Sequence, residues 1–309
     1  MHKNRTDLAM ERINPDEDYP GVEIHSWNET DIDISEVIIH SDEAAQTLGK
    51  PCGNYLTMEC RLLAEHDPDA RIAVSNLLGE ELFKMLPQDE HAPVLVVGLG
   101  NRDVTPDSLG PLTIEKTLVT RHIMDGVHSP ADLRSVCAVA PGVLGVTGME
   151  TCDIVKGAVD HAKPAAVICV DALAARECSR IGTTVQLTDT GILPGSGVGN
   201  HRQGLTKDTL GVPVIAIGVP LVVYTAVIVR DALNILLNDM EEDEESRNVA
   251  ADSLINRIIG EDIGEMVVTP REIDEMVSSL SNVLALSLNI ALQSRLSRDE
   301  IIMLTHETQ

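Results

Sequence analysis

Two aspartates carry the chemistry that this sequence can be read to perform. Asp107 stands in VTPDSLGP (Val104–Pro111), shortly after the apolar run Val94–Val97, and Asp171 follows directly on the run Val167–Val170. Each run is short, rich in β-branched residues and bounded by turn signals, the pattern of a strand buried on both faces. In an open parallel sheet the carboxyl ends of such strands form the rim where ligands bind. Two carboxyls on one rim can face each other. Within a few ångströms they cannot both ionise, so one pKa rises and the pair shares a proton. A peptidase needs this arrangement: one carboxylate to activate water, one acid to protonate the carbonyl or the leaving amine. A structural role competes with it, because Asp107 after Pro106 and Asp171 before Ala172 both fit helix N-caps.

Glycine-rich loops follow the same strands. Gly98 and Gly100 allow a tight turn before Asn101, Gly145 and Gly148 lie in PGVLGVTGMET (Pro141–Thr151), and Gly195 and Gly197 in DTGILPGSGVGN (Asp189–Asn200). Bare backbone in such loops can grip an extended peptide by strand-like hydrogen bonds, which makes these residues the expected substrate-binding set. Other chemistries fit poorly. The third glycine of a GxGxxG fingerprint would fall on Asp103, and the sequence contains no Walker loop, no HExxH and no GxSxG. The ten histidines include no close pair at ligand spacing and the six cysteines no CxxC, so neither metal nor cofactor is expected.

The elements that must position these residues alternate. Strands are expected at 94–97, about 135–140, 165–170, about 183–188 and 213–219. Helices are expected at about 112–122, 149–162, 172–180 and 220–237. That order implies an α/β fold with a mostly parallel, twisted sheet and helices on both faces. Upstream, residues 1–30 read as an extended or partly mobile arm, Ile32–Ile39 as a strand, and Tyr55–Glu65 and Asp69–Met85 as helical. Downstream, an acidic loop at about 238–247 precedes an amphipathic helix at about 270–296. Residues 8–309 are expected to form one α/β domain.

The balance of 23 basic against 49 acidic residues gives a formal charge of −26, which repels phosphate backbones, and aromatic residues make up only 2% of the chain, so stacking platforms are scarce. No nucleic-acid partner is expected. No apolar run of about 18 residues and no leader are seen, so a cytoplasmic protein without a membrane partner is expected. In the N-terminal arm, Arg5–Glu11 (RTDLAME) places an acidic residue before a medium apolar and a small one, in a segment a protease could reach; it also reads as a capped helix start.

Taken in order, VVGLGN (Val96–Asn101), VTPDSLGP, APGVLGVTGMET (Ala140–Thr151), DALAAR (Asp171–Arg176), DTGILPGSGVGN, LTKDTLGVPVIAIGVP (Leu205–Pro220) and MVVTPREID (Met266–Asp274) resemble the germination protease family, the spore endopeptidases of endospore-forming bacteria. The resemblance covers most of residues 94–220 and the start of the C-terminal helix. It implies a hydrogenase-maturation-protease/phosphorylase-like fold and an aspartic-type endopeptidase that works without a metal, with Asp107 and Asp171 catalytic. It further implies a zymogen that removes residues 1–7 by cutting between Asp7 and Leu8. Small acid-soluble spore proteins would be its substrates in the forespore or spore core, and a homotetramer its assembly. Leu193 departs from the family, which commonly has histidine there, and Tyr224 from an acidic position. Two alternatives stand beside this reading. One is a metal-dependent maturation peptidase on the same fold, which needs a histidine beside the aspartates. The other is a peptidyl-tRNA hydrolase-like enzyme, whose opening strand VVGLGN also resembles.

Overall fold

Strands form where the apolar, β-branched runs lie. In the computed structural model, which describes residues 6–14, 17, 19–124, 133–193, 203–237, 263–264 and 266–307, one sheet contains β1 (Val22–Glu29), β2 (Ile32–Ile39), β3 (Gly53–Glu59), β4 (Val94–Gly98), β5 (Val136–Val139), β6 (Ala166–Ala175), β7 (Thr184–Thr188), β8 (Val214–Tyr224) and β9 (Val267–Val268). The order is β1-β2-β3-β7-β8-β6-β4-β5, with β9 on β8. The expected parallel sheet is present at β8-β6-β4-β5, where helical crossovers join the strands. The other half is antiparallel, so the sheet is mixed.

Side-chain alternation divides the parallel strands between two cores. Val94, Val96, Ile168 and Val170 pack toward a layer that includes α2 (Pro68–Met85), α3 (Leu109–Glu115) and α6 (Ile273–Leu292), beyond α1 (Asp42–Leu48). Leu95, Val97, Val167 and Cys169 pack toward α4 (Thr151–Ala162) on the opposite face. Helices α5 (Thr225–Leu237) and α7 (Arg298–Glu307) complete the longer helices. Helix α6 is long and apolar enough to cross a membrane by composition alone, yet most of it is buried as the core helix against α2. The two cross closely: a Cβ at Gly79 would lie 2.9 Å from the Ile290 side chain and 3.1 Å from the Ser287 carbonyl.

Three expected elements differ. Residues 53–59 form β3 rather than a helix, because Tyr55 and Thr57 suit a pleated surface and find partners on both sides in β2 and β7. Residues 172–175 continue β6 past Asp171 instead of starting a helix; Ala172–Ala175 pair with Val219–Val223 of β8, and sheet pairing outweighs alanine's helix preference. The described residues of the expected arm are not loose: Val22–Glu29 is a regular strand, and Leu8 and Ala9 are fully buried. The acidic loop at 238–247 lies outside the described residues.

Candidate active site

Strand β4 stops at Gly98, level with Val170 of β6, and the Leu99 N–H donates to the Val170 carbonyl at 2.8 Å. The chain then turns back over the strand ends. Asp107 closes a 3-10 turn (Thr105–Asp107) with Pro106 in its middle, and its Oδ2 accepts the Asn101 N–H at 2.8 Å. Beyond it, Gly110 is pressed onto both strands: a Cβ there would lie 2.3 Å from the Leu99 oxygen and 2.6 Å from the Val170 oxygen. The turn carrying Asp107 is therefore clamped to the point where β6 delivers Asp171, the residue after Val170.

Asp171 shares a strand face with Val167 and Cys169. It is 7% exposed, and its Oδ1 accepts the Ala172 N–H at 2.9 Å. Burial pushes the Cys169 thiol up, and the Asp171 charge adds to this. In the sheet Asp171 lies opposite Gly218, and Gly218 opposite Gln186, so one row crosses β6, β8 and β7 with a bare glycine in its middle. Directly opposite residues point to the same face. Asp107, Asp171 and Gln186 line one cavity of about 610 Å³. Neither aspartate is a helix cap, since Asp171 is inside a strand and the N-cap of α3 is Ser108.

The N-terminal segment forms part of the wall of this cavity, through Thr6, Asp7 and Arg12. The Asp7 N–H donates to the Ala174 carbonyl at 3.1 Å, and Asp7 Oδ2 accepts the Ala174 N–H at 3.0 Å, next to a register shift between Leu173 and Ala174. The Asp7 carbonyl accepts from Lys50 Nζ at 2.7 Å and from Gln186 Nε2 at 3.2 Å. Ala9 donates its N–H to Gln186 Oε1 at 2.7 Å. The segment is anchored further by Glu11, whose carboxylate accepts the Arg176 N–H (2.8 Å), the Glu177 N–H (3.1 Å) and the Thr6 hydroxyl.

Burial pushes the Glu11 carboxyl above its ordinary value of 4.5, against the opposing pull of Thr6, the two amides and Arg180. A carboxyl whose value is raised in the docked state stabilises docking fully below its ordinary value, and that contribution is lost as pH rises through the raised value. Amide protection at Ala9, corrected for intrinsic exchange, should therefore be greatest in acid and decline as pH climbs above about 4.5. In Glu11→Gln that decline should vanish; an equal decline would assign it to another group.

The glycines divide into distinct kinds. A Cβ at Gly98 would meet the Gly110 oxygen at 2.4 Å, and one at Gly100 the Asp107 oxygen at 2.0 Å, so bareness at these positions lets the Asp107 turn close over the strands. Asn101 donates its N–H to Asp107, and its side-chain oxygen accepts the Asp103 N–H at 3.0 Å. Gly145 and Gly148 are exposed, with no atom within 4 Å of an added Cβ. Gly195 and Gly197 lie outside the described residues. Sequence reasoning missed Lys50, Gly110 and Gln186. Gln186 alone left a signal, a long polar side chain in the middle of the strand Thr184–Thr188. Among the described residues no group of three or more His, Cys, Asp and Glu is arranged to hold a metal ion.

Comparison with known proteins adds a family. The sequence profile described as "Germination protease" matches residues 2–260. The chain is 40% identical to the germination protease of Caldanaerobacter subterraneus subsp. tengcongensis, covering 98% of each chain. It is 38% identical to that of Clostridium tetani, over 96% of this chain and 98% of the relative. Against the germination protease of Bacillus subtilis the identity is 37%, over 96% of this chain and 95% of the relative.

Proposed function

Because this chain belongs to the germination protease family and is thus a peptidase, we propose that it is an aspartic-type spore endopeptidase made as a zymogen, with Asp107 and Asp171 activating water and Asp7–Leu8 as the bond it cuts in itself. One observation carries this reading: Asp7 lines the same cavity as Asp107 and Asp171, with its backbone and side chain paired to β6 only three residues beyond Asp171. The ionised carboxyl takes a proton from water as its oxygen attacks the Asp7 carbonyl carbon. The protonated carboxyl supplies the proton that the leaving Leu8 nitrogen needs.

Departure of residues 1–7 then frees the Ala174 amide and carbonyl for another chain in the same register. A substrate so bound places an acidic residue where Asp7 was, just before the bond to be cut. Small acid-soluble spore proteins, cut at Glu-Ile or Glu-Phe followed by alanine, suit that register. A homotetramer in the spore core belongs to the same proposal and rests on the family resemblance. The test offers the purified full chain one such acid-soluble protein and a variant with the glutamate before the cut replaced by lysine. A single cut after the glutamate, absent from the lysine variant, is expected. Equal cutting of both would refute the acidic register.

A further inference from the structure

The Asp7 carbonyl is held by groups for which the aspartate pair does not account. Lys50 Nζ lies 2.7 Å from the Asp7 oxygen and Gln186 Nε2 3.2 Å from it. The other atom of the Gln186 amide, Oε1, takes the Ala9 N–H at 2.7 Å, so one side chain spans Leu8 from carbonyl to amide. The Leu8 N–H itself donates to Thr6 Oγ1 at 3.0 Å. Two side-chain donors on one peptide oxygen, one of them cationic and both in a largely enclosed site, is the arrangement that stabilises charge developing on that oxygen.

We infer that Lys50 and Gln186 are catalytic: they form the electrophilic pair that holds the oxyanion on the Asp7 carbonyl, and on the equivalent carbonyl of a substrate. This rests on the reading that Asp7–Leu8 is the bond hydrolysed. As the water oxygen bonds to the Asp7 carbon, the carbonyl π electrons move onto the Asp7 oxygen, where the Lys50 ammonium and the Gln186 amide N–H meet them. The water proton goes to the ionised carboxyl of the aspartate pair. On collapse the C–N bond breaks, its electrons pass to the Leu8 nitrogen, and that nitrogen takes the proton of the protonated carboxyl. A carboxylic acid at Asp7 and an amine at Leu8 result.

Both donors are fixed by the fold. Helix α1 ends at Gly49, which takes a left-handed conformation (φ +65°), and both the Gly49 and Lys50 N–H groups bond to the Ala45 carbonyl. Pro51 follows, and its carbonyl is held by the Tyr55 hydroxyl at 2.8 Å. Gln186 stands in the row Asp171–Gly218–Gln186, which sets its backbone about 10 Å from that of Asp171 at roughly 4.8 Å per strand. The Leu173 side chain lies over Gly218, 2.4 Å from where a Cβ there would be, so the acid and the donor stand on either side of an apolar cover. Burial lowers the Lys50 ammonium below the ordinary lysine range, with Asp7 opposing, as befits a cation poorly screened by water.

The test follows the intact mass of the full chain through its single self-cut in the parent, Lys50→Met and Gln186→Glu, with hydrogen exchange at the Asp7 amide measured alongside. That amide bonds to Ala174 and to neither donor, so it reports docking apart from catalysis. Each variant should lose about 10²-fold in rate with Asp7 protection unchanged. Cutting within threefold of the parent in both variants would overturn the proposal. So would loss of Asp7 protection in step with the rate in both, which would make the pair a docking clamp only. A parent chain that is never cut between Asp7 and Leu8 fails in its own sample, without reference to either variant, and removes the premise and the proposal together.

Discussion

Asp107→Asn and Asp171→Asn are each expected to lower peptide-bond cleavage by about 10³-fold or more, with the melting temperature within a few degrees of the parent. The substitution keeps shape and removes only the charge and the exchangeable proton. An asparagine at 171 can still accept the Ala172 N–H, and one at 107 can still accept the Asn101 N–H. What neither can do is take a proton from water, so the loss should fall on the chemical step and not on docking of residues 6–12. Single-turnover rates and thermal melts on the same samples check this. Variants that melt far lower but cut at the parent's rate would return both aspartates to a structural role.

Gly100→Ala should be the most damaging change that removes no functional group. Its φ of +109° is strained for any residue with a Cβ, and the new atom would lie 2.0 Å from the Asp107 backbone oxygen. Backbone cannot rotate aside as a side chain can, so the Asp107 turn has to lift from the ends of β4 and β6. Strain and overpacking together should cost about 2–4 kcal/mol of stability. If Asp107 acts as proposed, a displacement of its carboxyl by even ~1 Å should reduce the rate by about 10²-fold at temperatures where the fold persists. Gly145→Ala is the control, with open space at its Cβ and no positive φ, and should change stability by less than about 0.5 kcal/mol. Urea denaturation of the pair measures the contrast; equal stability would mean that the Gly100 turn relaxes freely.

The parallel half of the sheet was legible because Val94–Val97 and Val167–Val170 are continuous apolar runs that suit no other environment. Asp107 and Asp171 stood out by their position after those runs. The strand beyond Asp171 was not legible: Ala172–Ala175 read locally as helix, and only pairing with β8, more than forty residues away, makes them a strand. Lys50 and Gln186 were hidden for a related reason. Gln186 comes from the antiparallel half, and only the register joining it to Gly218 and Asp171 brings it to the rim, while Lys50 comes from the turn between α1 and β3. Glu11 had no role of its own in the sequence, since acidic residues near a chain end are usually solvated. Its burial depends on the Arg176 and Glu177 amides at the far end of β6.

The central claim is that the aspartate pair cuts the N-terminal segment that lines its own cavity. Its most direct test is the intact mass of the full chain, incubated at mildly acidic pH so that one carboxyl of the pair is protonated, beside Asp107→Asn and Asp171→Asn. The expected result is loss of residues 1–7 from the parent, leaving Leu8 at the new N-terminus, with no loss from either variant. Cleavage between Asp7 and Leu8 that persists in both variants would contradict it.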